Sequence, residues 1–211
     1  SNIFFLFRFL PIVLLIYYIV PYKYKNGIIT IASLIFYSWG EVKYFPIMIA
    51  STVVDFFASH TIEKHRGNRK IEKICLAVSM CFNLGMLLFF KYTDFFIANI
   101  NNFCGTSIPL LHITLPLGIS FYTFQTMSYT IDVYRGKVAA EKNIINFSAF
   151  VTMFPQLIAG PIVRYSDVEK QLTERTHSIA KASEGVRRFV CGLSKKIFIA
   201  KGRPQDNPLI V

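Results

Sequence analysis

Apolar runs close to bilayer length recur along this sequence, each separated from the next by a short basic or aromatic link. About 20 apolar residues wound as a helix span the hydrocarbon core of a membrane. The runs lie at residues 3–20, 27–39, 44–62, 74–90 and 113–131. The chain of 211 residues is 53% hydrophobic and only 17% charged, so a soluble domain with a charged shell is a poor fit. This pattern predicts an all-α fold: a polytopic membrane helix bundle of about five spans. The formal net charge of +11 sits in inter-helix links and near the end of the chain. That placement suits loops facing anionic lipid and argues against nucleic acid as a partner. Cys75, Cys81, Cys104 and Cys191 show neither zinc spacing nor a disulfide framework. No metal is expected. The first run lacks a small-residue cleavage site and reads as a retained helix.

Loop charge gives an orientation. The links after the first, third and fifth runs hold Lys23, Lys25, Lys64, Arg66, Arg69, Lys70, Lys73, Arg135, Lys137 and Lys142. Those after the second and fourth hold only Lys43 and Lys91. The basic side is expected to be cytoplasmic and the N-terminus extracytoplasmic, in an inner membrane. Tyr17, Tyr18 and Tyr22 read as interfacial anchors, as does the pair Lys91 and Tyr92. Residues 95–112 read as a loop-like link with a short amphipathic start.

The stretch from 115 to 165 departs from plain anchoring. It reads LPLGISFYTFQTMSYTIDVYRG, a charged link, then FSAFVTMFPQLIAGPIVRY. Hydroxyls, amides and helix breakers at membrane depth need protein or a wet cavity beside them. On a helical wheel Tyr122, Gln125, Tyr129 and Asp132 share one face, while Phe124, Met127 and Ile131 share another. The polar face suits either a cavity wall or a polar helix–helix contact. Asp132 with Arg135 also fits an interfacial ion pair. Asp55, inside the third run, reads as a residue near a helix end or bonded to a neighbouring helix rather than as a catalytic acid.

Residues 144–164 are broken by Pro155, Gly160 and Pro161. A full crossing there would strand ten basic residues, from Arg164 to Arg203, on the outer side. A re-entrant segment that turns near Phe154 and Pro155 and returns through Gly160 and Pro161 avoids this. Arg164 behind the break suits a headgroup, a phosphate or a carboxylate. Residues 179–200 carry Val186, Phe189, Val190, Leu193 and Ile197 at helical spacing with cations between them. They are expected to form an amphipathic helix on the cytoplasmic surface.

The two central motifs resemble the membrane-bound O-acyltransferase family, in particular its alginate O-acetylation branch. SNIFFLFRFLP, IASLIFYSWGEVKYF, FFKYTDFF and RFVCGLSKKIFIA carry the same resemblance. It implies one domain over residues 1–200, a ring of helices around a tunnel, and O-acetyl transfer from a cytoplasmic donor, acetyl-CoA, with no bound cofactor. The implied acceptor is an extracytoplasmic polysaccharide or an acetyl-transfer partner protein. It makes Tyr122, Gln125, Tyr129, Asp132, Gln156 and Arg164 candidates for the tunnel or substrate lining, with Pro155, Gly160 and Pro161 at the turn. The family's histidine base lies in its second half. His60, His65, His112 and His177 do not match that context, and residues 201–211 leave the pattern as an aberrant tail. The expectation is a chain carrying part of the tunnel wall without the catalytic base, inactive alone. A transporter of polysaccharide or lipid-linked precursors is the competing class, since broken polar helices also build transport sites. It predicts two similarly broken segments where this sequence has one. A non-catalytic membrane remnant is the third reading.

Overall fold

A computed structural model describes residues 5–40, 42–116, 118–157, 163–175 and 178–201. Among them there are helices and no strand. A π-helical turn, Phe5–Phe9, leads into α1, Leu10–Ile19. Pro11, without an N–H, leaves a carbonyl of the preceding turn without its helical donor, which accounts for the widened turn. Then come α2 (Lys25–Gly40), α3 (Phe45–Lys64) and α4 (Arg69–Cys104). After a non-helical strap follow α5 (Ile119–Tyr134), α6 (Ile144–Thr152), the single turn α7 (Phe154–Leu157), α8 (Tyr165–Thr173) and α9 (Ile179–Lys201).

Among the described residues two helices, α3 and α4, are long and apolar enough to cross a membrane, and Phe7–Ile19 is a shorter apolar helix. The helix expected at 74–90 is instead a 36-residue rod. At 1.5 Å per residue it is about 54 Å long, well beyond the roughly 30 Å of a hydrocarbon core. The link expected at 95–112 is therefore largely helical. Asp94 and the asparagines of 99–102 are tolerated there because the helix has passed its apolar part. It stops at Gly105, whose φ of 64° gives the left-handed C-cap that a β-carbon would disfavour. The strap then folds back along the rod. Asn101 donates to the Ile108 carbonyl (2.8 Å) and accepts from the Ile108 amide (3.0 Å), and Asp94 accepts from the Leu111 amide (2.9 Å).

The helix expected at 113–131 begins only at Ile119. Pro116 cannot donate a helical hydrogen bond and Gly118 sits at φ 75°, so the chain turns before the helix starts. At 16 residues α5 is shorter than a full span. The broken segment turns at Met153, one residue earlier than expected, and Pro155 lies inside the single turn α7. The expected return through Gly160 and Pro161 lies outside the described residues, as does most of the tail.

The chain divides into two compact units, Ser1–Leu172 and Thr173–Val211. The second contains α9, whose Val186, Phe189 and Val190 alternate with Arg187 and Arg188. In the first unit α3, α4 and α5 pack on one another and α6 packs on α2 and α3. The main core is Met48, Phe56, Ile62, Ile119, Tyr129, Phe147 and Phe150, all buried. A smaller cluster joins Val13, Ala32 and Phe154 to Phe5, Phe9 and Phe36. The Phe154 N–H also donates to Ser33 (3.2 Å), which fixes the break against α2.

Asn101→Ala removes both contacts to Ile108. Hydrogen exchange in detergent is expected to show the Ile108 amide exchanging at least about tenfold faster, a loss of roughly 1.4 kcal/mol in local protection. The amides of α4 at 79–90 should not change.

Candidate functional site in the α3–α6 core

Three polar stripes meet inside the first unit. On α3, Ser51, Asp55 and Ser59 recur every four residues. On α4, Ser79 and Asn83 do the same, and on α5 Thr123, Thr126 and Thr130 lie at i, i+3 and i+7. Every one of them is fully buried. Asp55 accepts a hydrogen bond from Ser79, and Asn83 Nδ2 lies 2.9 Å from each carboxylate oxygen. Ser51 donates to Asn83 Oδ1 (2.8 Å), which orients that amide. Thr126 and Thr130 flank the same carboxyl. A carboxylate at membrane depth costs roughly 2.5–3.5 kcal/mol. Hydrogen bonds to a charged group return about 1.5–3 kcal/mol each, so about two such bonds offset the burial, and Ser79 and Asn83 supply them. Asp55 is thus bonded to a neighbouring helix, one of the two readings its sequence context allowed.

The other face of α5 meets α6 and the link before it. The Gln125 amide donates to the Phe150 carbonyl (2.9 Å). The Tyr129 hydroxyl accepts from the Glu141 N–H (2.8 Å), and its ring packs on Phe147 (4.7 Å) and Tyr165 (4.9 Å). Glu141 is a hub: its carboxylate accepts from the Tyr165 hydroxyl (2.6 Å) and from the Asn143 N–H (2.9 Å). Burial, with Glu141 beside it, pushes the Tyr165 phenol above its usual range, so it stays the donor. Asn143 in turn caps α6 by accepting from the Ile145 N–H (2.9 Å). Nearby, Arg66 pairs with Glu63 (3.0 Å) and donates to the Val133 carbonyl (2.9 Å). That ties the charged 65–68 loop to the end of α5.

Of the candidate lining residues, the structure brings Tyr122, Gln125, Tyr129 and Asp132 onto one buried face of α5, with Phe121 and Phe124 exposed opposite. Gln125 and Tyr129 spend their polar groups on α6 and its link. Asp132 makes no ion pair with Arg135, because Arg135 lies beyond the helix end and faces solvent. Arg164 is exposed. The Tyr122 hydroxyl, the Thr123 Oγ1, Gln156 Nε2 and Asn26 Oδ1 are buried with no hydrogen-bond partner among the described residues. Tyr122 is 0% exposed and faces Tyr37 of α2. Leaving a buried hydroxyl unmet costs about 1–3 kcal/mol. Tyr122 and Thr123 are therefore the polar groups of α5 that this fold does not itself use.

Of the histidines, His60 stacks on Phe56, His65 contacts the Thr61 carbonyl (3.1 Å) and His112 is exposed. His177 lies outside the described residues. No group of three metal-ligating side chains occurs among the described residues. Sequence reasoning passed over Ser79, Asn83 and Glu141. Ser79 and Asn83 were legible as an i, i+4 polar pair inside the 74–90 run. Glu141 had no local signal, since its partners come from three separate elements.

Residues 139–204 match the model of MBOAT, the membrane-bound O-acyltransferase family. The chain is 42% identical over 95% of its length to a probable alginate O-acetylase AlgI of Pseudomonas syringae pv. tomato, covering 39% of that protein. It is 41% identical, with the same coverage, to a probable AlgI of Pseudomonas aeruginosa. It is 33% identical over 93% of its length to a peptidoglycan O-acetyltransferase of Helicobacter pylori, covering 43% of it. The chain thus spans about two fifths of the length of these relatives. No solved structure matches. The resemblance read from the central motifs is thereby shown for the part of the family's sequence that this chain covers.

Two phenylalanine substitutions separate bonded from unbonded hydroxyls. Tyr129→Phe strands the Glu141 N–H and is expected to cost about 1–3 kcal/mol. Tyr122→Phe removes an unmet hydroxyl and should be neutral or slightly stabilising. Thermal unfolding of the purified chain in detergent measures both.

Proposed function

We propose that this chain contributes the α1–α9 portion of a membrane O-acyltransferase that moves an acetyl group from a cytoplasmic thioester, acetyl-CoA, towards hydroxyls of an extracytoplasmic polysaccharide or of an acetyl-transfer partner protein. The single observation that carries this reading is the similarity to alginate O-acetylases along 95% of the chain. The peptidoglycan O-acetyltransferase relative supports the same reaction class with a different glycan. Alginate-like polymers are the favoured acceptor because the alginate relatives share more identity with this chain.

O-acyl transfer needs a base for the acceptor hydroxyl and donors for the oxygen of the acyl carbonyl. The α5 face offers hydroxyl donors left free by the fold, Tyr122 and Thr123. It offers no base: the described histidines are engaged by Phe56 and Thr61 or lie exposed on the strap. These residues therefore act as scaffold and lining. The base belongs to sequence that the longer relatives carry beyond the matched two fifths. Lys23, Lys25, the 64–73 loop and the 135–142 link would face the cytoplasm, and the strap of 105–116 the opposite side.

Two assays test this. Deleting the encoding gene in its host is expected to remove most O-acetyl ester from envelope polysaccharide, read by proton NMR of the purified glycan. Unchanged ester content would refute the acyltransferase role. Membranes holding the 211-residue chain alone, given radiolabelled acetyl-CoA and polysaccharide, are expected to transfer no label above background. Transfer by the chain alone would refute the missing base.

A further inference from the structure

Lys25 is the first residue of α2, yet it is only 8% exposed. Its ammonium lies over the rings of Tyr17 (4.8 Å) and Tyr18 (5.7 Å), at the C-terminal end of α1. Among the described residues no carboxylate reaches it, since the ion pairs are Glu63–Arg66 and Glu184–Arg188. Two features make the position unfavourable for a cation left to itself. Burial strips an ammonium of water, and two aromatic faces return only a fraction of that loss. Lys25 also stands at the positive end of the α2 dipole, where an anion is welcome and a further cation is not.

The surroundings fit an anion at a membrane surface. Tyr18, Tyr22 and Tyr24 are exposed at 55%, 47% and 60%, and Lys23 is exposed beside them. This is a rim of phenols and one more cation around a buried ammonium, at the end of an apolar helix. We propose that Lys25, walled by Tyr17 and Tyr18 and rimmed by Lys23, binds the phosphate of an anionic phospholipid headgroup. The phosphate supplies the charge that the fold omits. The exposed Tyr18 and Tyr22 rings suit headgroup level.

The test uses the purified chain in nanodiscs of equal phosphatidylglycerol and phosphatidylcholine, followed by native mass spectrometry of the lipids retained after release. The wild-type chain is expected to keep phosphatidylglycerol in preference to phosphatidylcholine. Lys25→Gln should lower that preference by about tenfold, the loss of one charge-assisted contact. Lys25→Arg should restore most of it, and Lys43→Gln, at an exposed lysine of another link, should change it less than about twofold. Equal retention by wild type and Lys25→Gln overturns the proposal. If Lys25→Gln loses helicity by circular dichroism, the wild-type preference decides: no preference for the anionic lipid overturns it. Phosphatidylglycerol that survives an excess of inorganic phosphate supports the lipid assignment. Release by inorganic phosphate overturns it in favour of a soluble phosphate.

Discussion

A carboxylate buried among three membrane helices must be met by hydrogen-bond donors, and Asp55 is met from α4. Ser79 and Asn83 of α4 donate to it, while Thr126 and Thr130 of α5, whose hydroxyls donate to carbonyls of their own helix, flank the remaining side. The requirement is geometric as well as energetic. The hydrogen bonds fall within reach only at one rotation and one depth of each helix. A slip of one residue on α4 would turn Asn83 about 100° away and strand the acid. The clasp therefore fixes the register of α3 against α4 in a medium where burial of apolar surface cannot, since lipid is as apolar as the core. The long reach of α4 and the seat of α5 both depend on that register.

Once α5 packs on one side against the clasp, its opposite polar face is set against α6. Gln125 and Tyr129 then bind the Phe150 carbonyl and the Glu141 amide. Glu141 gathers Tyr165 and Asn143 into the same joint. The break at Met153 is thus carried on a segment anchored before it by Asn143 and after it by Ser33. Against this saturation the bare hydroxyls of Tyr122 and Thr123 stand out. Evolved cores seldom leave such groups unmet, and the exceptions concentrate where a ligand or further chain must be received. Their position on the helix whose sequence carries the family resemblance is why the acyl-transfer reading assigns the lining to them.

Much of this was legible in the residues. The 3.6-residue period of α5 separates a face of Tyr122, Gln125, Tyr129 and Asp132, which is buried, from one of Phe124, Met127 and Ile131, of which Phe124 is exposed and Met127 and Ile131 are half-buried. Asp55 reads as a helix-end residue or a helix–helix contact because an acid flanked by apolar turns has few other ways to persist. Boundaries were less legible. Asn99, Asn101, Asn102 and Gly105 mark residues 95–112 as loop by composition. Nothing in composition shows that a helix leaving the bilayer can continue through polar sequence. The link after α5 was read only as charge, whereas Glu63, Arg66 and Glu141 each find partners distant in sequence. Pairing across such separations has no periodic signature.

A double-mutant cycle between Asp55 and Asn83, read by thermal or denaturant unfolding of the chain in detergent, tests the clasp most directly. Asp55→Ala, Asn83→Ala and the double variant give the coupling free energy. The account predicts strong coupling, at least about 1 kcal/mol, because either single change already dissolves the shared network. Additive costs within about 0.3 kcal/mol would contradict it and leave Asp55 without a role in holding α3 and α4 together.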